Sequence, residues 1–94
     1  MQKSTVKTEN NDKSNLYYEG IPVFFDIEDK QLRKRNQAVV LTNLIESTLT
    51  DGMVPKKTLS LVVGYFQQIP AQERDALQQE MQKQIKERGL KRDE

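Results

Sequence analysis

Neither cysteine nor histidine occurs in the chain, and tryptophan is missing as well. Without cysteine there is no disulfide framework, no thiolate zinc site and no cysteine nucleophile. Without histidine the commonest general base, the commonest metal ligand and the usual proton switch near neutral pH are gone too. The glycines number four and form no phosphate-cradling loop. Ser47 and Ser60 lie in helical sequence with no histidine to activate them. These absences predict a non-enzymatic protein that needs no cofactor and no metal.

Long apolar runs are also lacking. No stretch approaches the roughly 20 apolar residues that span a bilayer. Between Met1 and Asn15 the only large apolar residue besides Met1 is Val6, too little for the centre of a signal peptide. A soluble, cytoplasmic protein without a membrane partner is therefore expected. Charge of one sign is equally scarce: 15 Lys and Arg face 14 Asp and Glu, for a net charge of +1. Any attraction to nucleic acid must then come from local clustering and not from the chain as a whole.

What is present fits one small domain. The 94 residues contain no internal repeat, and a hydrophobic fraction of 35% supports only a modest core that gains from a bound partner or a second copy. Residues 1–15 are polar almost throughout, which predicts a disordered tail. Residues 16–90 are expected to form the folded unit, with 91–94 frayed.

The composition changes at Leu16. Ile21, Val23, Phe25 and Ile27 alternate with Pro22, Phe24 and Asp26, which predicts an extended or β segment with four apolar residues on one face. Asp29 is suited to cap a first helix whose stripe is Ala38, Leu41, Leu44, Ile45, Thr48 and Leu49. Thr50, Asp51 and Gly52 should end it, with Gly52 as a left-handed C-terminal cap. Val54-Pro55 opens a second helix that runs to about Gln68. Leu59, Val62, Val63 and Phe66, widened by Leu61 and Tyr65, make it apolar around most of its circumference, which predicts the buried central helix. Ser60 and Gly64 leave a small face where another helix is expected to approach closely. After Ile69-Pro70 a third helix extends to about Arg88, with the narrow stripe Leu77, Met81 and Ile85 and with Gly89 as its cap. The expected fold is mainly α: a short N-terminal extended or β segment followed by a small three-helix domain.

Two clusters carry the functional expectations. Tyr17, Tyr18, Ile21, Val23, Phe24 and Phe25 form an apolar arm with no evident strand partner within the chain. An unpaired strand edge recruits another chain, so these residues are expected to bind another protein or a second copy of this one. A small adaptor or regulator acting through protein–protein contact is the function this implies. The alternative is a nucleic-acid-binding regulator using Lys30, Arg33, Lys34 and Arg35, with Asn36 and Gln37 beside them and a second basic group at Lys83, Lys86, Arg88, Lys91 and Arg92. Lys56 and Lys57 oppose the dipole at the start of the second helix, and an acid from residues 26–29 is expected to offset them. Asp26, Glu28 and Asp29 lack the spacing of a calcium loop, and capping accounts for them better.

Overall fold

A computed structural model describes residues 16–90. Its elements are a two-stranded antiparallel hairpin, β1 (Tyr17–Tyr18) and β2 (Ile21–Pro22), followed by α1 (Lys30–Thr48), α2 (Lys56–Gln68) and α3 (Ala71–Glu87). The expected mainly helical architecture with a short β segment ahead of three helices is what the chain adopts.

The extended segment differs from the expectation in both length and pairing. Glu19 and Gly20 both have positive φ, at 51° and 81°, as a tight hairpin turn of the primed type requires. That turn folds Tyr17 back opposite Pro22 and Tyr18 opposite Ile21. The Val23 N–H donates to the Leu16 carbonyl at 2.8 Å, which extends the pairing by one more bond. The strand partner that seemed to be missing therefore lies just upstream in the same chain. The strand then stops, because Phe24 takes a φ of 61° and the Ile27 N–H bonds back to its carbonyl at 3.1 Å. A bulky side chain in this region costs on the order of 1 kcal/mol. Val23, ahead of the kink, is buried, and Phe25, just after it, also packs against the core.

α1 begins as its sequence predicts. The Asp29 carboxylate accepts from the Gln31 and Leu32 N–H groups at 2.9 and 3.2 Å, a cap worth about 1 kcal/mol. Its buried face is Gln37, Ala38, Leu41, Thr42 and Ile45, turned away from Leu44 and toward two polar residues. The C-terminus corrects the reading of Gly52. The helix ends at Thr48, and Thr50 and Met53 then exchange both backbone hydrogen bonds at 2.9 Å across Asp51 and Gly52. Those two residues have φ of 55° and 75°, so Gly52 completes a second primed turn and does not cap the helix.

α1 and α3 run side by side in the same direction, because α2 carries the chain back between them. Arg33 meets Glu73 near their first turns, and Arg88 meets Asn43 and Glu46 near their last. The core is Val23, Ala38, Leu41, Ile45, Tyr65, Ile69, Leu77 and Met81. α3 closes as expected: Gly89, at a φ of 73°, donates to Lys86 and Leu90 donates to Ile85, the paired bonds of a glycine-capped helix end.

α2 is not the buried central helix. Its fully buried residues are Thr58, Gly64 and Tyr65, whereas Leu59 is 49% and Val63 56% exposed. Thr58 donates to the Thr48 hydroxyl at 2.9 Å, and Tyr65 donates to the Pro22 carbonyl at 2.7 Å, so α2 docks on α1 and the hairpin. It makes few contacts with α3.

Candidate interaction surface

The splay between α2 and α3 leaves an open groove of about 380 Å³. Val62, Val63 and Phe66 form one wall, and Met81 and Ile85 on α3 form the other. The rim is Gln67, Gln78, Gln82 and Arg74. Arg74 is turned toward its own backbone: Nε donates to the Ile69 carbonyl at 2.8 Å and Nη2 to the Gln67 carbonyl at 3.4 Å. Among the described residues no acidic side chain lines the groove. On the far side of Val63, a second depression is lined by Tyr18, Leu59, Ser60 and Gly64. Leu59 and Val63, one helical turn apart, stand as a ridge between the two.

Gly64 explains how Tyr18 reaches this surface. A Cβ at position 64 would overlap the Tyr18 hydroxyl and ring, so the glycine admits an aromatic side chain against the helix backbone. The expected close approach is present at Gly64, while Ser60 is exposed, and the partner is the hairpin and not another helix.

The arm residues predicted to meet a partner are gathered together, yet most of them are turned onto the body of their own chain. Val23 is 1% exposed, and its carbonyl accepts from Gln37 Nε2 at 2.7 Å. Ile21, Phe25 and Tyr18 pack against the core. Phe24 is half-buried without joining the core, and Tyr17 alone of the six is broadly exposed, at 56%. Val23 is thus a core residue, with its backbone satisfied by the hairpin and Gln37.

The basic clusters are partly consumed within the fold. Arg33 donates to the Ile27 carbonyl at 2.8 Å and pairs with Glu73 at 3.4 Å. Gln37, grouped with these residues as a base-contacting type, is buried. Lys30 and Arg35 are exposed and Lys34 is half-buried. From the second group, Arg88 pairs with Glu46 at 3.0 Å, while Lys83 shares its surroundings with Glu80 and Glu87. Lys91 and Arg92 lie outside the described residues, as does the 1–15 tail. Lys56 and Lys57 are exposed, and the ion pairs among the described residues, Arg33–Glu73 and Arg88–Glu46, include neither. The expected offset from residues 26–29 is therefore not formed, since Asp29 caps α1 instead. No helix among the described residues is long and apolar enough to cross a membrane.

Sequence reasoning placed Leu59, Val62, Val63 and Phe66 in one buried stripe and so missed the groove. The signal was available in the third helix. A stripe as narrow as Leu77, Met81 and Ile85 covers one neighbour, and α1 takes that place, so α3 had nothing left with which to cover α2. Comparison with protein-family models, with curated proteins and with solved structures finds no match for this chain.

Proposed function

We propose that the chain is a non-enzymatic adaptor or regulatory protein that works by protein–protein contact, and that its contact surface is the outward face of α2 with the groove beside α3. The observation that carries this reading is the exposure of Leu59 and Val63 on the α2 face beside an apolar groove whose one charged lining residue among those described is Arg74, in a chain of which 31% is charged. Exposed apolar surface that adjoins a groove and has a polar rim is the usual anatomy of a docking site. The arm contributes Tyr17 and Tyr18 at its edge and otherwise supports it from behind. The lack of histidine and cysteine leaves the chemistry of catalysis without its commonest side chains, in keeping with a binding role.

A photo-crosslinking amino acid placed at position 63 in the native host tests the reading. An adduct should form from position 63 and not from Gln79, which is exposed on α3 outside the groove. Equal labelling from both positions, or none from position 63, would remove the basis for this surface.

A further inference from the structure

We infer that the groove between α2 and α3 is closed by the same face of a second copy of this chain, the two copies related by a two-fold axis. This rests on the reading of that face as a docking surface and names its occupant.

Three observations select a second copy. The first is self-complementary shape. A two-fold contact requires one patch to carry both the projection and the recess that receives it. Leu59 and Val63 form the projection, and the recess walled by Phe66, Met81 and Ile85 lies directly beside it. A two-fold axis near the boundary between them would bring each ridge toward the other copy's groove.

The second is charge. A patch that meets itself sets every charge against its own copy, and like charges facing each other in an apolar contact are costly. Among the described residues the groove has no acidic lining, and Arg74 on its rim is bonded to backbone carbonyls. The rim residues Gln67, Gln78 and Gln82 are primary amides, each both donor and acceptor, and an amide pairs with an identical amide without a change of partner type.

The third observation is that the segments flanking the described residues in this sequence are poor occupants. Residues 1–15 and 91–94 hold only Met1 and Val6 as large apolar residues, so neither terminal segment has the side chains to fill an apolar groove. Among the described residues the core consists of eight buried apolar residues, so a fold of this size gains substantially from added burial.

Sedimentation velocity of the full chain over a dilution series tests the inference, with circular dichroism to confirm folding. Wild type should move from dimer to monomer on dilution. Val63→Asp should raise the dissociation constant by more than about tenfold, since two carboxylates would enter an apolar contact. Gln78→Glu with Gln82→Glu should do the same from the opposite wall, at exposed positions where folding is not at stake. Leu32→Asp, equally exposed but on α1, should leave association unchanged. A wild type that is monomeric throughout, or a dimer indifferent to both groove variants, would overturn the inference. If such a monomer still gave adducts of another mass from position 63, the docking surface would stand and only its occupant would be wrong.

Discussion

Between Lys56 and Gln68, α2 carries Leu59, Leu61, Val62, Val63, Tyr65 and Phe66, yet it leaves Leu59 and Val63 about half exposed. α3 has only Leu77, Met81 and Ile85 as large apolar residues, and it buries the first two fully and the third in part. Apolar content states how much a helix has to bury. Which side becomes covered depends on the neighbours available. Apart from Ala71 and Ala76, α3 is charged or amidic around the rest of its circumference, so it has one workable orientation, against α1. α2 has several, and specific partners decide among them. Gly64 admits Tyr18, and the Tyr65 hydroxyl finds the Pro22 carbonyl. With that side fixed, Leu59 and Val63 are left facing outward.

The contrast is sharpest at Leu77. Truncation to Ala should cost about 2–5 kcal/mol in urea unfolding, because the side chain is 1% exposed between two packed helices and leaves a cavity. A loss below about 1 kcal/mol would mean that the α1–α3 contact is loose.

Gly64→Leu should cost about 1–3 kcal/mol, because the added side chain displaces Tyr18 from the α2 backbone. A double-mutant cycle with Tyr18→Ala isolates that clash. In the Tyr18→Ala background, Gly64→Ala should gain up to about 1 kcal/mol from helix propensity, a gain the wild-type background withholds. Additive effects would show that Tyr18 does not hold α2 in its orientation.

A smaller effect is expected within the α1–α3 interface itself. The Thr42 hydroxyl is buried and lacks a hydrogen-bond partner among the described residues. Thr42→Val keeps the shape while removing the unsatisfied group, and should raise stability by about 1 kcal/mol. A loss of similar size would show that the hydroxyl is satisfied in solution.

The smallest effect at neutral pH concerns Tyr65, whose burial pushes its phenol well above its ordinary value. In the unfolded chain the same phenol ionises near pH 10, so above that pH the folded state holds a proton the unfolded state has released. The stability that the neutral phenol contributes is whole below about pH 10 and is lost as the pH rises beyond it. Tyr65→Phe should flatten this alkaline decline, while losing about 1 kcal/mol at neutral pH with the bond to Pro22. An unchanged decline in the variant would place its origin elsewhere.

Much of the fold was legible from residues with strong local preferences. Asp29 capping α1, Gly89 closing α3, the Pro70 boundary and the Ala38, Leu41 and Ile45 stripe all follow from chemistry within one or two turns of the chain. The hairpin was missed although Glu19-Gly20 sits at its turn, because two-residue strands are too short for alternation to register. Gln37 could not be read as core. A glutamine becomes buried only where a carbonyl such as that of Val23 awaits it, and that meeting depends on the tertiary fold. The groove was hidden for the same reason. In an all-round apolar helix, periodicity cannot distinguish the covered side from the open one.

In the folded chain the outer face of α2 is open. Urea unfolding of Leu59→Asp with Val63→Asp, measured at dilutions where wild type is monomeric, tests it most directly. The account predicts a free energy within about 0.5 kcal/mol of wild type at each site, the range of exposed positions. A loss of several kcal/mol, the size expected when a charge is forced into a packed core, would contradict it and return α2 to the interior.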